Sequence, residues 1–196
     1  MTKVASNVAS STYNSYGKFN DLIFGGKMKK ITRLEWVYLS LQAVILLFLI
    51  FHDWVPLGNL NDIDAVHHLL TTNELIIQTI MNSVPFAVAF FLCCLYAGKA
   101  YPLLMRLFLL FYFPILFYGA LSAWWIPYFF GTSAEKAAQY EIMFGNTHTI
   151  LPILNDITPN TIHLIFHLLL LFVVILTIYF IFGIKRPKAC ERTKKI

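Results

Sequence analysis

The residues in this sequence best suited to chemistry are histidines, and two of them lie on one face of a predicted helix. His163 and His167 are four positions apart, and Asn160 precedes them with the spacing i, i+3, i+7. At 100° per residue, the three side chains fall within about 60° of one another. Imidazoles one helical turn apart can bind a single metal ion, although the glutamate of the HExxH zinc motif is absent here. The spacing therefore predicts a candidate site for zinc or another divalent transition metal.

Polar residues at the ends of the other apolar segments are predicted to reach the same depth. Three protein ligands and an open position allow zinc to activate a bound water. A nearby carboxylate would act as general base or orient a histidine. This interpretation predicts hydrolysis or group transfer on a lipid or an extracytoplasmic substrate. The predicted set comprises the metal ligands His163, His167, His148 and His52, the catalytic carboxylates Asp156 and Asp53, and the supporting amides Asn160, Gln78 and Asn82.

Two other interpretations of the histidines stay open. In the first, they hydrogen-bond across helices and only stabilise the fold, as in a non-enzymatic binding, sensing or accessory protein of the immunity type. In the second, His52 and His167 ligate haem, or protonation of several histidines senses external acidity. The adjacent His67 and His68 diverge by 100° on a helix and are predicted to lie at the surface.

The composition is that of a membrane protein. Hydrophobic residues make up 58% of the 196-residue chain and charged residues 13%, whereas soluble domains carry about 25% charged residues. A membrane-spanning helix needs about 20 apolar residues, and four segments qualify. The sequence therefore predicts an all-α, antiparallel bundle of four transmembrane helices, with short interfacial helices in the outer loops. The predicted spans are 35–54, 75–97, 101–130 and 161–184, and the predicted loop helices are 62–70 and 134–144.

The distribution of charge predicts the orientation. Lys136 is the one base in the two loops that carry the histidines, and the other fourteen Lys and Arg residues flank the opposite ends of the spans. The positive-inside rule then places both termini in the cytoplasm and every histidine on the outer side of a plasma membrane. The basic ends would contact anionic lipid headgroups.

The bases flank the spans and form no separate domain, so a nucleic-acid partner is not expected. A homo-oligomer is compatible with the sequence. The predicted organisation is a flexible cytoplasmic extension over 1–30, a transmembrane domain over 31–186 and a basic tail over 187–196, and residues 1–27 could stem from a misassigned start.

Aromatic residues are concentrated at the end of the third predicted span. They are predicted to form an interfacial aromatic belt, with a wall that guards the histidines as the alternative. The residues of this patch are Trp124, Trp125, Tyr128, Phe129 and Phe130. The stretch WWIPYFFG, the following NTH and the later PNTIHLIFH resemble a type of small bacterial four-helix integral membrane protein. The resemblance covers about residues 28–182 and implies a bacterial plasma-membrane protein, and it implies no activity or cofactor.

Overall fold

Helices dominate the fold, as the sequence predicts. The computed structural model describes residues 30–183, and this part of the chain contains no strand. Four of its helices are long and apolar enough to cross a membrane, which confirms the predicted all-helical fold with four helices of membrane-spanning length. The expectations for the N-terminal extension and the basic tail concern residues outside the described part. The four long helices are α1 Arg33–Phe51, α3 Thr72–Leu95, α4 Leu103–Phe130 and α6 Thr161–Gly183.

Two shorter helices precede α3 and α6. Helix α2 covers Ile63–Leu69 and α5 covers Ala134–Phe144, and the two contact each other. Asp62 caps α2 by accepting from the Ala65 N–H. The spacing of Thr132 and Glu135 predicts a capping box at the start of α5. This prediction is wrong, because Ser133 caps α5 by accepting from the Lys136 N–H.

The long helices begin with side chains that satisfy free backbone N–H groups. The spacing of Thr71 and Glu74 predicts a capping box, which the two residues form at the start of α3. Thr32 and Glu35 form a second one at α1. Each box satisfies two donors that no helical carbonyl can reach. Helix α1 ends at Phe51, so the histidine that follows lies beyond this span rather than inside it.

The long helices pack around one apolar core. Helix α1 packs against α3 and α6, and α4 packs against α6. Residues such as Ile45, Phe86, Leu109 and Leu170 are fully buried between them. The core therefore lies between the long helices, and it also encloses the polar side chains of Gln42 and Ser83.

At the end of the bundle remote from the histidines, hydroxyl groups link α1 to α6. The Thr177 hydroxyl donates to the Val173 carbonyl at 2.7 Å, so the Tyr38 hydroxyl donates to Thr177 Oγ1, also at 2.7 Å. Both side chains are buried. The direction of this chain is fixed because a carbonyl oxygen only accepts.

We expect Thr177→Val to lower the free energy of unfolding by about 1 kcal/mol, since it leaves the buried Tyr38 hydroxyl without an acceptor. Reversible unfolding in mixed micelles measures this. Tyr38→Phe should cost less, and adding Thr177→Val to it should cost little more. A double variant whose loss equals the sum of the two single losses would contradict the link.

Candidate functional site

A cavity of about 300 Å³ lies at the histidine end of the helices. Segments around the end of α1, along α2, α3 and α5, and at the facing ends of α4 and α6 all contribute to its wall. We call it the histidine cavity. Its lining residues are His52, Asp53, Val66, Leu70, Gln78, Trp124, Tyr140, Met143, Phe144 and His163.

Asn160 determines the tautomer of His163. The Asn160 Nδ2 group donates to the Leu60 carbonyl at 3.4 Å and to Thr147 Oγ1 at 3.1 Å. Its Oδ1 atom is therefore the acceptor, and it receives the His163 backbone N–H at 3.1 Å and the His163 Nδ1–H at 2.7 Å. Neutral His163 then carries its lone pair on Nε2. This nitrogen is the one that can take a proton or bind a metal.

The same contact explains where α6 begins. The sequence suggests Thr158 as N-cap with Pro159 in the first turn, and this expectation is wrong. Asn160 is the N-cap, because its Oδ1 atom accepts from the His163 N–H, three residues on. Asparagine is among the preferred N-cap residues for this reason. One side chain thus starts the helix and orients its first histidine.

His52 and Asp53 form a pair that must hold a proton. His52 Nδ1 lies 2.9 Å from the Phe48 carbonyl oxygen, so Nδ1 is the protonated donor. His52 Nε2 lies 3.1 Å from Asp53 Oδ1. Two lone pairs at this distance would repel each other, and a proton between them turns the contact into a hydrogen bond. The pair is therefore an imidazolium with a carboxylate, or an imidazole with a carboxylic acid.

Burial acts on both partners of this pair. The side chain of His52 is 13% exposed and that of Asp53 is 15% exposed. Desolvation lowers the pKa of His52, and the neighbouring Asp53 opposes this shift. Desolvation raises the pKa of Asp53, which the charges of His52 and His67 oppose. Both shifts favour the neutral form of each group, as expected for a pair withdrawn from water.

A wide, π-helical turn in α4 directs two consecutive tryptophans towards α6. The turn covers Leu121–Trp125. The Trp124 ring lies 4.5 Å from the His163 ring, and Trp125 Nε1–H donates to His167 Nδ1 at 3.1 Å. Neutral His167 is therefore the Nε2–H tautomer, the opposite of His163. Trp124 is 6% exposed, so its packing favours the aromatic wall over the belt.

Pro127 accounts for the position of Tyr140 on α5. A proline has no N–H, so the Ala123 carbonyl, four residues earlier, lacks its helical donor. The Tyr140 hydroxyl fills this place by donating to the Ala123 carbonyl at 2.8 Å. Tyr140, Met143 and Phe144 were missed as candidate residues. The signal that could have found them was a proline in an otherwise helical segment, followed by an aromatic amphipathic helix.

Several of the predicted site residues lie in or next to the histidine cavity. Gln78 lines the histidine cavity. The His163 ring lies 5.8 Å from that of His52 and 6.2 Å from that of His167, so these three histidines form one cluster.

The remaining predicted residues are not among those that line the cavity in the described part of the chain. His148 Nδ1 lies 2.8 Å from Thr161 Oγ1, on the exposed side of the α6 N-terminus. Asp156 is exposed, in a left-handed turn with φ 60°. Asn82 is half-buried in α3, and His67 and His68 are exposed.

Within residues 30–183, no three or more His, Cys, Asp or Glu side chains are grouped so that they could hold a metal ion. The predicted metal set is thus divided between the cluster and the loop that carries His148. Metal binding and haem ligation stay predictions.

Comparisons with known proteins do not add to this picture. A scan of protein-family models, a search of curated proteins and a search of solved structures find no match to the chain. The geometry of the histidine cavity is therefore the basis on which a function is argued.

Proposed function

We propose that this chain is a multi-pass protein of a bacterial plasma membrane, with both termini in the cytoplasm. Four antiparallel spans would then place α2 and α5 at the outer interface, next to the histidine cavity. The support is the charge distribution, since Lys136 is the one base in the two histidine-bearing loops. The clustered bases at the opposite ends of the spans would bind anionic headgroups.

Reporter fusions test this orientation. Fusions at Asp62 and Gln139 should report an extracytoplasmic position, and fusions at Lys99 and at the C-terminus a cytoplasmic one. A cytoplasmic signal from either histidine-bearing loop would contradict the proposal.

We propose that the histidine cavity catalyses hydrolysis or group transfer on a lipid or another small substrate that reaches the outer face. The observation that carries this is the Asn160 contact, which leaves the His163 Nε2 lone pair free in a cavity shared with the His52–Asp53 pair. His163 would take a proton from the attacking water or hydroxyl. The His52–Asp53 pair would give its proton to the leaving oxygen as the bond to that oxygen breaks.

Hydrolysis of a panel of fluorogenic esters and labelled phospholipids by the purified protein in uncharged detergent tests the reaction. We expect His163→Gln to lower kcat/KM by 10² to 10⁴, the usual contribution of a positioned base. The control is His68→Gln, since His68 is an exposed histidine at the same end of the molecule. Equal rates for the two variants, or no turnover by the wild type across the panel, would contradict the proposal.

A non-enzymatic accessory role is the second candidate, and the bonds of Asn160 favour it. Its amide links the loop before α2, the segment after α5 and the start of α6. In that case His163→Gln would lower stability and no specific activity would be lost. Metal analysis of the same preparations tests the metal hypothesis, with His163→Ala and His167→Ala as controls.

A further inference from the structure

The histidine cavity offers more hydrogen-bond acceptors than the protein itself uses. Asp53 Oδ1 faces His52, and among the described residues Asp53 Oδ2 has no donor. The His163 lone pair on Nε2 also has no donor there. Both residues line the cavity, and an acceptor without a protein partner can receive a hydrogen bond from a bound molecule, so these two atoms mark where the donors of a ligand or a water would lie.

The wall holds no side chain with a fixed positive charge. No Lys or Arg of residues 30–183 lines the cavity, and the His52–Asp53 pair has no net charge because it holds one proton. A ligand anion would therefore meet no fixed counter-charge. An N–H group of a ligand would meet Asp53 Oδ2, which is an acceptor in both forms of the pair.

The aromatic rings of the wall suit a cation with an organic stem. Trp124, Tyr140 and Phe144 pack against one another with ring centroids 4.8–5.6 Å apart, and all three line the cavity. Aromatic faces attract ammonium groups, and the Lys136 ammonium already lies 5.6 Å from the centroid of Tyr140. The apolar residues Val66, Leu70 and Met143 complete the wall and would contact a short hydrocarbon stem.

From these features we propose that the histidine cavity binds a primary ammonium group on a short apolar stem. Two of its three N–H donors match Asp53 Oδ2 and the amide oxygen of Gln78, and His163 Nε2 stays available to take the proton of the attacking water or hydroxyl. The volume of about 300 Å³ is at the small end of ligand pockets and suits a headgroup or a small amine rather than a whole lipid. The inference rests on the proposed function, because it names the class of ligand for the same cavity.

Titration of the full chain in an uncharged maltoside detergent at pH 7.5 tests this, with tryptophan fluorescence and calorimetry as readouts. The probes are n-butylammonium, butyrate as the same stem with opposite charge, and tetramethylammonium as a cation without N–H donors. We expect saturable binding of butylammonium, at least tenfold weaker binding of tetramethylammonium and none of butyrate. Binding of butyrate or tetramethylammonium as tight as that of butylammonium, or no saturable binding of butylammonium, would overturn the inference.

Two variants probe the wall. Asp53→Asn should weaken butylammonium binding at least tenfold, and Phe144→Leu should weaken it about threefold while leaving the carboxylate in place. The matched control is Glu141→Gln, since Glu141 is an exposed carboxylate on α5 that does not line the cavity. Unchanged affinity in both Asp53→Asn and Phe144→Leu would overturn the inference.

The ammonium group could belong to a lipid headgroup or to a soluble amine, and vesicles separate these sources. If phosphatidylethanolamine added to phosphatidylglycerol vesicles competes with butylammonium, the lipid is the source. If it does not compete, the ligand is a soluble amine, and both results support an ammonium site. Loss of amine binding alongside His163-dependent ester hydrolysis would overturn this inference and leave the proposed function intact.

Discussion

Replacing Asn160 with alanine should lower the free energy of unfolding by roughly 3 kcal/mol, the largest loss we expect from any single polar substitution in this chain. Loss of an N-cap costs about 1 kcal/mol. The substitution also removes the hydrogen bonds that Asn160 makes to the Leu60 carbonyl and to the His163 Nδ1–H, and each lost hydrogen bond adds about 1 kcal/mol. Asn160 is 2% exposed, so water cannot take its place.

Two further substitutions separate the roles of this side chain. Asn160→Asp keeps the Oδ1 acceptor for the cap and for His163 but loses the donor to Leu60 and Thr147, so its loss should be intermediate. Asn82→Ala is the matched control, because Asn82 is a half-buried amide in a span and does not line the cavity. Unfolding monitored by circular dichroism in mixed micelles measures all three. A loss for Asn160→Ala no larger than for Asn82→Ala would contradict the assigned role.

The four spans were predictable because hydropathy over about 20 residues leaves no alternative to a helix in lipid. The capping box at Thr71 was predictable for a local reason as well, since it depends on residues three positions apart. The residue at which α6 begins was harder to predict. Thr158, Pro159 and Asn160 all suit a helix start, and the choice among them follows from the distant Leu60 and Thr147, which bind the Asn160 amide.

The candidate site was predictable only in part. Helical spacing predicts that His163 and His167 lie in one region. It does not predict that they are opposite tautomers, because their partners Asn160 and Trp125 come from different segments. The π-helical turn directs Trp124 and Trp125 towards α6. Within this turn the backbone departs from the 100° rotation per residue of an α-helix, so helical spacing does not predict which way these side chains face.

Loop residues were the least predictable. His148 and Asp156 are close to α6 in sequence, and the spacing suggested that both could join the cluster. The chain between them passes through left-handed backbone at Asn155 and Asp156, and a bond from the His148 N–H to the Asn59 carbonyl holds its start. Neither feature has a periodic signature in the sequence.

The second large effect concerns the His52–Asp53 pair, where removing one partner should cost more than removing both. We expect His52→Leu to lower the free energy of unfolding by about 2 kcal/mol at pH 8, since it leaves a carboxylate that is 15% exposed without its proton donor. Asp53→Asn should cost less, because a neutral buried imidazole needs no counter-charge. The double variant His52→Leu with Asp53→Leu should recover most of the loss, as replacement of a buried pair by apolar residues often does.

The dependence of this loss on pH has a definite sign. Burial raises the pKa of Asp53, and His52 opposes that shift, so His52→Leu raises the pKa of Asp53 further. An acid whose pKa is raised by folding binds more protons in the folded state than in the unfolded state. The free energy of unfolding then falls as the pH rises from the ordinary pKa of the acid to its raised pKa in the folded protein. The loss caused by His52→Leu should therefore shrink at pH 5, where Asp53 can take up a proton. Unfolding at pH 5 and pH 8 measures this, and a loss that is equal at both values, or larger at pH 5, would show that the two residues do not share a proton in the folded protein.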